Sequence, residues 1–243
     1  MLPPDDDIRL AILNTTPICE WSYPRILVGI PLERSISYAD KVFFQFMSIA
    51  QQGPAFVPEH YGRIDLVRNM FVKELLLSRY THLLMLDIDH VHPRDIIQRL
   101  ARWVILDPGI KVVSGLNFRR GKPFDPVCGD YNGSKHRQTM TSWEEGLVRK
   151  DETGAASLLV HRSVFEEMEP PWFFNIYDEV WENSYPGEDI GFSRKCAELN
   201  ISMYVDTTTS SPHCIESTVT EETYRRYVQT HPWEFENEVS PSV

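Results

Sequence analysis

Two carboxylates two residues apart close the segment His82-Leu83-Leu84-Met85-Leu86-Asp87-Ile88-Asp89. The apolar run before them is short and continuous, which predicts a buried strand of an α/β sheet. Ligands of such sheets bind just outside the carboxyl ends of the strands. Two acids gathered there are costly unless a cation shares them with a ligand. A hard divalent ion is the natural partner, because Mg²⁺ and Mn²⁺ sites pair one or two carboxylates with substrate phosphates. D-x-D is a short motif, however, and it also fits a surface turn that caps the next helix.

A second acidic pair, Glu188-Asp189, follows Pro186-Gly187 at the predicted start of a helix. Acids there are favoured by the helix dipole and by capping. They also have the chemistry of a general base, which needs a carboxylate within about 3 Å of the hydroxyl it deprotonates. His213 ends a Ser-Ser-Pro-His turn, and His90 and His92 flank the D-x-D acids as supporting residues.

The elements that must position these groups follow from periodicity. Residues 25–31 read as a first buried strand, and 39–51 as a helix with Val42, Phe43, Phe46 and Ile49 on one face. A second helix is predicted over 66–79, with Met70, Phe71, Leu75 and Leu76 inward. Pro93 suits the first turn of a helix reaching Leu106, with Ile96, Ile97, Leu100 and Val104 inward. Residues 111–115 read as a strand, and 121–154 as loops with a small antiparallel piece. Helices are predicted over 163–168 and 188–199, with a final strand at 201–206. Alternation through the first half favours a mainly parallel sheet covered on both faces. The expected organisation is an N-terminal extension or edge hairpin (1–24), one domain (25–231) and a loose acidic tail (232–243).

Hydrophobic residues make up 42% of the 243, enough for a real core, so wholesale disorder is excluded. No apolar run approaches the ~18 residues needed to cross a bilayer. The start, Met1-Leu2-Pro3-Pro4-Asp5-Asp6-Asp7, is acidic where a signal peptide is basic, so the expectation is a soluble, cytoplasmic protein. Cys19, Cys128, Cys196 and Cys214 show no C-x-x-C spacing, and free thiols are expected. A net charge of -11 argues against broad adhesion to nucleic acid, leaving only 119–122 and 135–137 as short basic loops.

Five segments in order resemble the GT-A fold glycosyltransferases, particularly the small family 2-like enzymes of bacteria and phages. They are Gly29-Ile30-Pro31, Arg63-Ile64-Asp65-Leu66-Val67-Arg68-Asn69, Leu86-Asp87-Ile88-Asp89, Val113-Ser114-Gly115-Leu116-Asn117-Phe118-Arg119-Arg120, and Pro186-Gly187-Glu188-Asp189-Ile190-Gly191-Phe192 with His213 downstream. The resemblance spans roughly residues 25 to 215. It departs at Gly154-Ala155-Ala156-Ser157, where relatives often carry more glycine, so the acceptor pocket is expected to differ in shape.

The resemblance implies a Rossmann-like sheet with an antiparallel acceptor side, and a metal-dependent transfer of sugar from a nucleotide-sugar, most often a UDP-sugar. Asp87, Asp89 and His213 would form the metal site, Asp89 ligating the cation directly and Asp87 also holding ribose or sugar. Imidazole favours Mn²⁺ over Mg²⁺. The cation would offset charge on the departing diphosphate. Asp189 would be the base and Glu188 would bind acceptor or sugar hydroxyls, with inversion at the anomeric carbon.

Pro31, Glu33 and Arg34 fall where such enzymes contact base and ribose. Arg63, Asp65 and Arg68 fall at the nucleotide or diphosphate, although Arg68 also suits an ordinary helix surface. Ile88 and Gly115 belong to the same donor segments, and Trp172 would be a platform or plain loop packing. The implied acceptor is a saccharide or lipid-linked saccharide. A phage-type enzyme would instead glycosylate hydroxymethylated pyrimidine in DNA, within the host cytoplasm. A nucleotidyltransferase would carry a glycine-rich loop after the first strand, and residues 32–37 have no glycine. A non-catalytic sugar-nucleotide-binding module fits less well with all four acids in place.

Overall fold

The computed structural model describes residues 16–32, 45–46, 48–60, 62–131, 138–177, 186–215 and 218–232. Glu33, Arg34, most of the expected 39–51 helix, the 135–137 loop and the tail beyond 232 lie outside the described residues. In chain order the elements are β1 (Ile26–Leu32), β2 (Ala55–His60), α1 (Ile64–Leu77), β3 (His82–Leu86), α2 (Ile96–Leu106), β4 (Val112–Asn117), β5 (Cys128–Asp130), β6 (Gln138–Thr139), β7 (Leu147–Lys150), β8 (Glu152–Thr153) and β9 (Ser157–His161). They continue with α3 (Arg162–Glu167), α4 (Glu188–Glu198), β10 (Met203–Ser211), β11 (His213–Cys214), β12 (Thr218–Val219) and α5 (Glu221–Thr230).

Seven strands form one sheet in the order β2-β1-β3-β9-β4-β10-β7. β2, β1, β3, β4 and β10 share a direction, while β9 and β7 run against them. This is the mainly parallel α/β sheet that the alternating elements predict. The period of two along each strand divides its apolar residues between the two faces. Leu83 and Met85 of β3 face one layer with Val67, Phe71 and Leu75 of α1 and Phe192 of α4. Leu84 and Leu86 face the opposite layer with Ile96, Ile97, Leu100 and Val104 of α2. Full burial of each such side chain contributes about 1.5–3 kcal/mol. The facing layers, more than helix propensity, therefore hold α1, whose buried stripe includes β-branched Val67 and Val72.

Several elements differ from expectation. Met70 is 43% exposed, because the buried stripe of α1 runs through Val67, Phe71, Val72 and Leu75 instead. β2 was not among the expected elements; its Pro58 is accommodated because the strand sits at the sheet edge, where a missing N–H is tolerated. β9 fills the sheet centre as an antiparallel strand, a direction that its apolar sequence does not encode. β10 extends to Ser211, and it is not last: β11, β12 and α5 follow and close a small core around Leu116, Phe118, Val205 and Tyr224.

Of the expected N-terminal extension, residues 16–24 hold a 3-10 turn at Ile18–Glu20, and Ile18 and Trp21 pack into the α2 layer. β5, β6 and β8 form the small antiparallel piece. None of the four cysteines is in a disulfide. Among the described residues no helix is long and apolar enough to cross a membrane.

Candidate functional site

β3 ends at Leu86, so Asp87-Ile88-Asp89 emerge at the carboxyl edge of the sheet. Residues more than 110 positions away in sequence are stitched to this turn. Val91 N–H donates to Pro212 O at 2.8 Å, and Cys214 N–H donates to Asp89 O at 2.7 Å. His90 and His213 form an antiparallel bridge. His92 is fully buried, with one ring nitrogen 2.9 Å from Ser211 Oγ and the other 2.9 Å from Asp87 O. Burial pushes its pKa down to about 3, so it serves as a neutral strut. These contacts bring His213 over Asp89.

His213 Nδ1 lies 2.9 Å from Phe118 O, a contact that requires the proton on Nδ1. That leaves Nε2 aimed at Asp89 Oδ2, 3.0 Å away. An imidazole whose far nitrogen is anchored to a carbonyl is the usual arrangement of a metal-binding histidine. His90 Nδ1 lies 2.9 Å from Asp89 Oδ1, and its ring stacks on His213 with centroids 4.0 Å apart. One ligand atom each from Asp89, His90 and His213 falls within 4.8 Å of the others. Burial opposes ionisation of Asp89, but hydrogen bonds from His213 and His90 outweigh it and hold the carboxyl well below its usual range. The donor set fits a divalent cation, with two imidazole nitrogens weighting it toward Mn²⁺ over Mg²⁺.

Asp87 is differently engaged. Arg68 Nη2 donates to both of its oxygens, at 3.0 and 2.9 Å. The same guanidinium donates from Nε to Glu188 Oε1 at 2.9 Å and from Nη1 to Ala155 O at 3.2 Å. Arg68 is 3% exposed, so of its two expected places the ordinary helix surface is excluded. Burial works against its charge, but Asp87 and Glu188 overcome this and raise its pKa. One side chain thus ties α1, the D-x-D turn, the approach to β9 and the start of α4. Asp87, expected at the metal site, is corrected: with both oxygens on Arg68 it stands apart from the Asp89-His90-His213 cluster.

A cavity of about 390 Å³ opens beside these acids, within the range of small-ligand sites. Pro31, Ile64, Val67, Asp87, Ile88, Asp89 and Arg120 are among its walls. Arg63 and Asp65 flank Ile64 and pair with each other through Arg63 Nε and Asp65 Oδ1 at 3.0 Å. Asp65 is buried while Arg63 is 61% exposed.

Glu188 and Asp189 occupy the first turn of α4. Asp189 Oδ1 accepts the Ile190 N–H at 2.9 Å. Burial and the adjacent Glu188 push the Asp189 pKa up to about 7, against the pull of Arg68. Gly191 sets how closely α4 approaches: a Cβ there would lie 2.0 Å from Phe174 O. Gly191→Ala should therefore destabilise the fold by about 1–3 kcal/mol or more through overpacking. Chemical denaturation measures this, and a wild-type midpoint would refute the tight approach.

Two expected donor contacts are corrected. Trp172 offers no platform: it is 7% exposed, and its indole N–H points inward to Phe165 O and Met168 O, both at 3.0 Å. Gly115 lies within the sheet, where a Cβ would meet Ser157 Oγ at 2.7 Å and Thr209 O at 2.9 Å, so its glycine serves strand packing.

Three residues carry more than their sequence suggests. His90 joins Asp89 and His213 in the Asp/His cluster. Arg120, 60% exposed, places Nη1 3.5 Å from Asp89 Oδ2. Asn69 binds the segment after α3, donating to Phe173 O at 2.7 Å and accepting from Trp172 N–H at 2.9 Å. Asn69 was visible only as a member of the resembling segments, and Arg120 only there and as part of a short basic loop.

No protein-family model matches this chain, and no curated protein matches it. Solved structures do. Protein A197 from STIV superposes with a TM-score of 0.56 at 18% identity, covering 79% of this chain and 86% of that one. GalNAc-T7, solved with UDP, GalNAc and Mn²⁺, superposes with a TM-score of 0.50 at 11% identity, covering 94% of this chain. This chain spans only 57% of that protein's length. At such identities the likeness speaks for the fold alone. The fold is a GT-A-like, Rossmann-like α/β sheet flanked by helices, with an Asp/His cluster at its carboxyl edge.

Proposed function

We propose that this protein is a metal-dependent glycosyltransferase that moves a sugar from a nucleotide-sugar, UDP-sugar foremost, to an acceptor hydroxyl. The observation that carries this reading is the Asp89-His90-His213 cluster at the mouth of a nucleotide-sized cavity walled by Pro31 and Asp87. The fold shared with a protein solved with UDP, GalNAc and Mn²⁺ supports it.

Asp89, His213 and His90 would hold the cation, which when bound offsets charge on the departing diphosphate. Asp87, kept in place by the Arg68 fork, would accept hydrogen bonds from ribose or sugar hydroxyls. Pro31 and Ile88 would line the nucleoside, with Arg63 and Asp65 at its edge, and Glu33 and Arg34, next in sequence after β1, would add to the donor contacts. Asp189 would take the acceptor proton as the hydroxyl attacks, inverting the anomeric carbon. Glu188 spends one oxygen on Arg68 and keeps the other for a hydroxyl.

A saccharide acceptor is favoured over DNA. In the 119–122 loop Arg119 is paired with Asp125 and Lys122 lies over the Tyr227 ring, so two of its three cations are already engaged. The chain is also strongly acidic, which opposes a polyanionic acceptor.

A melting screen with Mn²⁺ and UDP-, GDP- or TDP-sugars tests the proposal. Ligand at about a hundred times its Kd stabilises by roughly 2.7 kcal/mol, which in a domain of this size raises Tm by about 5–10 °C. The rise should require Mn²⁺ and nucleotide-sugar together. A flat response to all three donors would remove the nucleotide-sugar reading.

A further inference from the structure

The loop after β4 folds back on itself. Phe118 bridges to Pro126, Arg119 N–H donates to Asp125 O at 2.9 Å, and Phe124 N–H donates to Gly121 O at 2.8 Å. Within this loop the three cations have different fates. Arg119 Nε sits 3.1 Å from the buried carboxylate of Asp125, and Lys122 Nζ sits 5.7 Å from the centre of the Tyr227 ring. Arg120 alone among them turns to the cavity. It is the one cationic side chain among the described residues that wall it. Among the described residues its ion-pair partner is Asp89 Oδ2, met by Nη1 at 3.5 Å, a long contact for a guanidinium that carries five donors.

That position has a consequence. Asp89 Oδ2 is also the oxygen that faces His213 Nε2, so Arg120 and a cation bound by Asp89 and His213 compete for the same carboxylate. Once a cation sits there, the guanidinium is repelled from it and needs another anion. A pyrophosphate bridged by that cation would present one within reach, and a guanidinium can hold phosphate oxygens in pairs.

We propose that Arg120 is the residue by which the cavity distinguishes a nucleoside diphosphate from a monophosphate. It rests on Asp89 in the cation-free state and turns to the outer phosphate when the cation replaces it. The inference rests on the nucleotide-sugar reading of this cavity, and it assigns the diphosphate contact to the loop after β4.

The two roles predict effects of opposite sign in R120Q. Without nucleotide, the variant should bind Mn²⁺ about two- to fivefold tighter, the scale of one exposed ion pair, read by the free-Mn²⁺ electron paramagnetic resonance signal. At saturating Mn²⁺, calorimetry should show UDP binding weakened by about ten- to a hundredfold, while UMP binding stays within about twofold. GDP with GMP and TDP with TMP serve as parallel probe pairs. Equal losses for diphosphate and monophosphate, or none for either, would overturn the proposal, as would Mn²⁺ binding weakened in R120Q. Wild-type protein that takes up Mn²⁺ but none of the six nucleotides would instead fail the nucleotide reading itself, and the diphosphate role with it. Because Arg120 is largely exposed, the substitution should leave the melting temperature without ligands near wild type.

Discussion

Asp89→Asn should weaken Mn²⁺ binding by about a hundredfold or more, while Asp87→Asn should leave it within about tenfold of wild type. Loss of a supporting contact to a metal ligand already costs about 10–100-fold in affinity, and removing a charged ligand should cost at least the upper end. Asp89 faces His213 and His90 with one oxygen each, so a neutral amide would deprive the cluster of its only anion. The fold should survive, because the turn is also held by backbone bonds: Cys214 N–H to Asp89 O and Val91 N–H to Pro212 O. Asp87 presents the opposite balance. Both of its oxygens are committed to Arg68, so Asp87→Asn should cost stability by leaving a buried guanidinium short of charge. Resonance titration of free Mn²⁺ and thermal melts on the two variants separate these roles. Equal loss of Mn²⁺ affinity in both would return the cation to a site shared by the two acids.

The contrast between these acids marks how far the sequence could be read. An apolar strand ending in D-x-D is legible because burial and the loss of it are written in residue type. The unbroken apolar run of β3, with strands and helices alternating through the first half of the chain, implied a sheet covered on both faces, and β3 packs on both. Which acid joins the two histidines was not written in residue type and came only from the resemblance, because the answer depends on Arg68 reaching from a different helix to hold Asp87. The same holds for Arg120, since nothing in Arg119-Arg120-Gly121-Lys122 says which cation the turn directs inward. Trp172 misled for a related reason. A tryptophan after two prolines suits a surface platform equally well until Asn69 is seen binding its backbone and turning the segment against α1. β9 was hidden by direction: Ser157-Leu158-Leu159-Val160 fits any buried strand, and only its pairing with both β3 and β4 makes it antiparallel.

Asp189→Asn should abolish sugar transfer while leaving donor binding intact, and it should make the protein more stable than wild type at pH 8. Both effects follow from the same surroundings. Burial foremost, with the negative charges of Glu188 and Glu152, raises the carboxyl's pKa to about 7 against the pull of Arg68. A base of that strength is well matched to neutral pH, since it is ionised enough to act and basic enough to take a proton. The rate of transfer should therefore climb tenfold per pH unit below about 7 and level above it. Stability should move the other way. A folded carboxyl with a raised pKa binds its proton more tightly than the unfolded chain does, so its contribution is fully present below the ordinary carboxylate range and is lost as pH rises toward 7. The asparagine cannot ionise, and its oxygen can still accept the Ile190 N–H that Asp189 Oδ1 accepts. Its stability advantage should therefore be largest at pH 8 and shrink as the pH falls toward 4. Initial rates against pH, with melts of both proteins across the same range, test the two halves together. Transfer that persists in the variant would move the base elsewhere on the acceptor side. A stability difference that stays constant with pH would mean that Asp189 does not titrate in this window.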